Sequence, residues 1–198
     1  TYLDTLRSGG VWVSLSTGAA FAAPEMWAHY ASSLPPQIKY FDVDGDGKAD
    51  ALHFDTGGAL RVGISTGSAF TTPTIWLQHG SSTIKQLQYV VVNGDGKVDA
   101  LYFDTLRSNG VWVSLSTGTG FSGAQLWLQH GPSTPDQIQY ADVDGDGRAD
   151  AIYFDTLRSR GVWVSLSTGT VFGSAGLWLQ HGDSSPDQIK YLDVNGDG

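Results

Sequence analysis

The sequence has no cysteine, a single methionine (Met26) and a single glutamate (Glu25). Without cysteine there is no disulfide, no thiolate nucleophile and no cysteine metal site, and the redox compartment is left open. The Ala, Glu, Lys and Leu wealth of helical proteins is missing, while 26 of the 198 residues are glycine, so an all-β chain of strands and turns is expected. No apolar run approaches the length of a membrane span, so membrane insertion is not expected; the start at Thr1 shows no signal-peptide pattern. Positive charge is also scarce. Eleven basic residues against 20 acidic ones leave a net charge of -9, which makes nucleic acid and anionic lipid poor partners. What remains, 40% hydrophobic and 12% aromatic, is enough to bury one core, and a single domain over residues 1–198 is expected.

One segment recurs four times: FDVDGDGKADALHF from Phe41, VVVNGDGKVDALYF from Val90, ADVDGDGRADAIYF from Ala141 and LDVNGDG from Leu192. Its loops begin at Asp42, Val91, Asp142 and Asp193, steps of 49, 51 and 51, and Trp27, Trp76, Trp127 and Trp178 keep the same spacing. The short step has a local source. Asp4, Asp104 and Asp155 each stand eight residues before a Trp, whereas Asp55 reaches the matching Arg61 in six.

Each unit reads as four short strands, which in the third full unit are QIQYADV from Gln137, DAIYF from Asp150, GVWVSLS from Gly161 and LWLQH from Leu177. Val162, Val164 and Leu166 alternate with Trp163, Ser165 and Ser167, the period of a strand packed on both faces. Gly-, Pro-, Asp- and Ser-rich connections between them suit tight hairpins. Four antiparallel strands in about 50 residues is the size of a β-propeller blade, and far more than a β-helix coil needs. The repeats run approximately over 1–30, 31–80, 81–131, 132–182 and 183–198. The first supplies strands 2–4 and the last strand 1 of one blade split between the termini, giving four blade equivalents. Such a chain could close a four-bladed ring, pair with a second copy into a larger ring, or exchange terminal strands in a head-to-tail filament.

The D-x-[DN]-G-D-G-x-x-D loop carries the chemistry. Carboxylates at alternate positions, with glycine between them, aim several hard oxygens at one centre, the donor set that Ca²⁺ takes. The expected ligands are Asp42, Asp44, Asp46, the Lys48 carbonyl and Asp50 in the first copy, and Asp142, Asp144, Asp146, the Arg148 carbonyl and Asp150 in the third. The second copy keeps Asn93, Asp95, the Lys97 carbonyl and Asp99 but has Val91 at its first position, so weaker binding is expected. The fourth offers Asp193, Asn195 and Asp197. Asp-Gly pairs can also be plain hairpin turns. Four copies in register, with Asp at the ninth position of all three complete ones, favour the metal. The loops hold 12 of the 20 acidic residues, so an ion in each would relieve most of the chain's self-repulsion. Extracellular calcium modules bind at about 10⁻⁴ to 10⁻³ M, which points to a structural ion and a secreted protein.

Strand, DVDGDGxAD loop, strand, GVWVSLSTG and a Trp-bearing strand together resemble the FG-GAP/VCBS repeat family, across essentially the whole chain. That family includes the blades of integrin α-subunits, many bacterial secreted proteins and a fungal lectin binding N-acetylglucosamine. The resemblance implies a propeller with Ca²⁺ between the first two strands of each blade and a role in adhesion or glycan binding. Two departures are the blade number, four against the usual seven or eight, and Val91; the literal FG and GAP signatures are also absent.

A carbohydrate-binding or cell-surface-binding module is the leading reading, because repeated blades offer repeated pockets where aromatic rings stack on sugars. The WLQHG segments supply candidates in Trp76 with His79, Trp127 with His130 and Trp178 with His181, next to Gln78, Gln129 and Gln180, although packing of the outer strand by the Trp residues and capping of its turn by the His residues is the favoured reading over ligand contact. The first unit has Tyr30 where the others have His, and Trp12, Trp112 and Trp163, flanked by valines, are expected to pack. A structural unit of an extracellular fibre or surface assembly is the alternative, and an accessory domain of a secreted enzyme the next. The chain itself is not expected to be an enzyme. GISTG from Gly63 spells a nucleophile-elbow pattern around Ser65 with no helix following, and a glycosidase needs two unlike carboxylates.

Overall fold

The computed structural model describes residues 2–4, 9–29, 38–55, 57–78, 87–104, 108–130, 137–155, 159–180 and 182, with backbone alone at 2–4. Among these residues there is no helix beyond a single helical position at 137, and the all-β expectation holds. Among the described residues, fifteen strands form four antiparallel sheets. The first holds β1 (Tyr2–Asp4), β2 (Gly10–Val13) and β3 (Glu25–His29). The second holds β4 (Ile38–Phe41), β5 (Asp50–Phe54), β6 (Ala59–Gly63) and β7 (Thr74–Gln78). The third holds β8 (Leu87–Val90), β9 (Asp99–Asp104), β10 (Gly110–Ser114) and β11 (Gln125–Gln129). The fourth holds β12 (Ile138–Ala141), β13 (Asp150–Asp155), β14 (Gly161–Ser165) and β15 (Gly176–Gln180). Each sheet is a meander in sequence order and has the architecture of a propeller blade. The three strands of the first sheet are those expected from the N-terminal part of a split blade; residues 183–198, the expected source of its remaining strand, lie outside the described residues.

Two compact units divide the chain, Thr1–Ser82 with the first two sheets and Thr83–Gly198 with the other two. Within each unit, the facing sheets share a core. In the first, Val11, Val13 and Trp27 pack on Ala51 and Phe70, with Ile38 and Tyr40 against them. In the second, Val92, Leu101, Phe103, Val111, Val113 and Trp127 pack on Ile138, Ala149, Ala151 and Phe172. The alternation that sorts Ala151 and Tyr153 to one face of β13 sorts Ile152 and Phe154 to the other, where they join Val162 and Val164 in a separate cluster. Both faces of the sheet are thereby apolar, as the GVWVSLS pattern requires.

Each blade carries the same irregularity. Between its third and fourth strands the register slips, at Val11/Trp12, Leu60/Arg61, Val111/Trp112 and Val162/Trp163. A bulge of this kind twists the outermost strand away from the ladder and re-aims its side chains. After the third strand a short STG hairpin returns the chain, closing with a bridge between Ser16 and Phe21, Ser65 and Phe70, Ser116 and Phe121, or Ser167 and Phe172. That hairpin carries the phenylalanine that seats on the preceding blade's tryptophan: Trp27 meets Phe70 edge-on with ring centroids 5.3 Å apart, and Trp127 meets Phe172 at 5.5 Å.

Candidate functional site

The acidic loops sit between the first and second strands of their blades, and two glycines set their curl. Gly45 and Gly47, Gly94 and Gly96, and Gly145 and Gly147 all have φ between 76° and 84°, a region that costs other residues a steric penalty. The first Asp braces that curl: Asp42 accepts the amides of Gly45 (2.7 Å) and Gly47 (2.8 Å), and Asp142 those of Gly145 and Gly147, both at 2.8 Å. At the third position Asp44 and Asn93 accept the amides of Asp46 and Asp95, at 3.1 and 3.0 Å. Val91 can brace nothing with its side chain, so the second loop loses an internal clamp as well as a carboxylate.

The ninth residue reaches further. Asp50 is fully buried, accepting the Val43 amide at 3.0 Å and the Ser65 amide at 2.8 Å. Asp99 holds Val92 (3.0 Å) and Ser116 (2.8 Å) in the same way, and Asp150 holds Val143 (3.1 Å) and Ser167 (2.7 Å). This residue ties the acidic loop to the STG hairpin of its own blade. Burial pushes the carboxyls of Asp50 and Asp150 above the usual range and that of Asp99 up to about 6.

Carboxylate oxygens of Asp42, Asp44 and Asp50 all lie within 4.8 Å of one another, as do those of Asp142, Asp144 and Asp146. Calcium takes oxygens at about 2.3–2.6 Å, so donors on opposite sides of one ion stand about 5 Å apart and each trio has the right span. The fifth position of the loop has a second partner that its spacing did not reveal. Asp46 pairs with the Lys48 ammonium, Asp95 with Lys97 at 3.0 Å, and Asp146 with the Arg148 guanidinium. The residue expected to give only its carbonyl thus also brings a cation, and the hydrogen bond from Lys48 holds Asp46 below the usual carboxylate range. Asp193, Asn195 and Asp197 lie outside the described residues.

The WLQHG candidates separate on inspection. Trp127 is 5% exposed and packed against Phe172, so as a ligand contact it is corrected to a core residue. Trp76 is half-buried and Trp178 is 52% exposed, while His79 and His181 lie outside the described residues. The glutamines brace turns: Gln78 donates to the Gly57 carbonyl, Gln129 to Ser108 and Gln180 to Ser159. His130 follows β11 and lays its ring against Tyr153 of the next blade, centroids 4.1 Å apart, both half-buried. The turn before each third strand has its own lock. Asp104 and Asp155 hold Ser108 and Ser159, which accept the indole N–H of Trp112 and Trp163, each at 2.8 Å. In the shortened second blade Arg61 stands in for the Trp and pairs with Asp55 at 2.7 Å. Ser65 lies in its STG hairpin with no helix after it and its amide held by Asp50, which is no nucleophile elbow.

Burial, the leading cause at both, holds His53 and His130 below the ordinary imidazole value. As pH falls through about 6.5 the unfolded chain takes up protons there that the folded chain refuses, so these two groups subtract stability on the acid side. Urea midpoints at pH 7 and pH 5.5 should therefore fall by less in a His53→Gln, His130→Gln variant than in the parent; an equal fall would show that neither imidazole is kept neutral by the fold.

Residues 92–153 match the FG-GAP-like repeat family. No curated protein matches the sequence. Among solved structures, an Agrocybe aegerita lectin, described for its specific recognition of non-reducing terminal N-acetylglucosamine, is similar at 26% identity with a TM-score of 0.72. That likeness covers 86% of this chain and 47% of the lectin. The Photorhabdus luminescens Tc holotoxin pore shares the fold at 16% identity and a TM-score of 0.57, over 80% of this chain and 8% of that one. The chain thus spans about half the length of the lectin it matches. Residues 92–153 are thus similar to an FG-GAP-like repeat, and the four sheets have the architecture of β-propeller blades.

Proposed function

We propose that the chain is a calcium-stabilised carbohydrate-binding module that works outside the cell, in glycan-mediated adhesion. The observation that carries the glycan reading is the likeness to a lectin for terminal N-acetylglucosamine over 86% of the chain. Within the described residues, the place best suited to a sugar is the seam where His130 meets Tyr153. Both rings are half-buried, and a neutral imidazole beside a phenol brings ring faces and polar atoms together at one seam. Ca²⁺ in the acidic loops supplies charge neutralisation and oxygen crosslinking rather than chemistry on a substrate. Asp42, Asp44 and Asp50, and Asp142, Asp144 and Asp146, would hold it, and loop affinities in the extracellular range suit a protein of net charge -9 in millimolar calcium.

A glycan array in millimolar calcium, followed by calorimetric titration of the sugars retained, tests the first part. His130→Ala and Tyr153→Ala should each weaken binding at least tenfold with the fold intact; an array without hits, or variants that bind as the parent does, would end the lectin reading. For the metal, Asp46→Ala and Asp146→Ala should lower calcium stoichiometry and melting temperature, with Asp95→Ala the mildest because its loop already lacks a carboxylate. Equal losses at all three sites would contradict that order.

A further inference from the structure

The third blade's acidic loop lacks the clamp that its first residue should supply, and the fourth blade supplies one from outside. In the loop at residues 142–150 the Asp142 side chain gathers the amides of Gly145 and Gly147, both at 2.8 Å. Val91 stands at that position in the loop at residues 91–99 and brings no side-chain acceptor. What holds the Val91 loop comes across the seam within the Thr83–Gly198 unit. The Val91 carbonyl accepts the Ala149 amide at 2.7 Å, and the Val92 carbonyl accepts the Ser167 hydroxyl at 2.6 Å. Arg148 lies against the same loop: a Cβ on Gly94 would stand 3.2 Å from its Cγ, and its Nε donates to the Ser167 carbonyl at 3.2 Å.

These bonds join the two loops end to end. Asp150 accepts the Ser167 amide at 2.7 Å, the Ser167 hydroxyl donates to the Val92 carbonyl, and the Val92 amide donates to Asp99 at 3.0 Å. The ninth carboxylate of one loop is thus linked to the ninth carboxylate of the other through two residues. All four residues are at most 4% exposed, so water barely competes for the bonds.

We propose that Ser167 is a positioning residue for the third blade's loop, and that it couples the two loops so that Ca²⁺ in the fourth blade's loop tightens binding in the third's. The inference rests on the calcium reading of the loops. With Asp142, Asp144 and Asp146 drawn onto one cation, the segment through Ala149 and Asp150 loses freedom, and with it Ser167, whose amide Asp150 holds. Ala149 and Ser167 are the two donors on which the Val91 loop depends. A loop already ordered has less conformational entropy to lose when its own ion arrives, which makes the coupling positive. Couplings between sites are typically about 5–150-fold in affinity.

Calcium titration of isotope-labelled protein, followed by heteronuclear NMR at the glycine amides, reads each loop separately. Gly96 and Gly147 are the reporters, because a Cβ at either would meet nothing within 4 Å, so neither leans on the neighbouring loop. Asp144→Ala, an exposed substitution that removes no bond of the relay, should raise the calcium concentration at the Gly96 midpoint by about fivefold or more. Ser167→Ala should raise that midpoint by itself, and Asp144→Ala added to it should then move Gly96 far less than in the parent. A serine with a merely structural role would leave the two effects to multiply, and that result would overturn its assignment. The Asp144→Ala comparison in the parent background needs no buried change, so the coupling is tested even where Ser167→Ala fails to fold. A Gly96 midpoint left in place by Asp144→Ala, with Gly147 of the parent responding to calcium, would overturn the coupling alone. Glycines that never respond to millimolar calcium would overturn the calcium reading and the coupling together.

Discussion

Trp127→Ala is expected to destabilise the unit it belongs to by about 3–5 kcal/mol, the cost of deleting a large aromatic from a packed core and leaving a cavity. Trp127 fills the space between the third and fourth sheets, edge-on to Phe172, with Val111, Val113 and Ala151 in the same cluster. No neighbour can collapse into an indole-sized void, because the surrounding positions belong to strands fixed by their own ladders on both sides. The paired control is Trp178→Ala, identical in local sequence but 52% exposed, which should cost less than about 1 kcal/mol. Urea unfolding followed by circular dichroism distinguishes the two; comparable midpoints would mean that the Trp127–Phe172 contact holds nothing together.

That pair also marks how far the sequence could be read. The strands of the three full units, the hairpin positions and the curl of the acidic loops all come from local rules, period two and glycine at positive φ, and among the described residues each is found where the sequence puts it. Burial of a particular tryptophan is not local. LWLQHG reads the same at Trp127, which is buried against Phe172, and at Trp178, which is exposed, so the segment alone does not set which one is interior. The bulges at Val11/Trp12 and its equivalents were equally hidden, since a one-residue slip leaves the alternation on either side intact. In the acidic loops, spacing identified the oxygen donors, but not the Lys48, Lys97 and Arg148 cations folded back onto the fifth position, because a side chain two residues away carries no periodic signal. Gln78, Gln129 and Gln180 looked like sugar-binding amides; their turn-bracing role depends on a partner 21 residues earlier.

Asp150→Ala should be the most damaging single change in the acidic loops, at about 2–6 kcal/mol, because it orphans two amides at once and each unsatisfied buried group costs about 1–3 kcal/mol. The Asp150 carboxylate is fully buried and joins Val143, in the acidic loop, to Ser167, in the hairpin. Ser167 in turn donates its hydroxyl to the Val92 carbonyl of the preceding blade at 2.6 Å, so the loss reaches across the seam. Asp150→Asn keeps one oxygen acceptor and turns the other into a donor facing an amide, so without metal it should fall between the parent and the alanine variant. The asparagine also separates the two roles assigned to this position. If Asp150 only braces backbone, millimolar calcium should raise the melting temperature of the parent and of Asp150→Asn by the same increment, measured against the chelated protein. If its charge also faces the ion, the parent should gain clearly more, because a carboxylate held in a buried site is costly until a cation compensates it. An Asp150→Asn variant with the full calcium increment would remove the ninth residue from the ligand set and leave Asp142, Asp144 and Asp146, the trio whose oxygens already converge, to hold the metal alone.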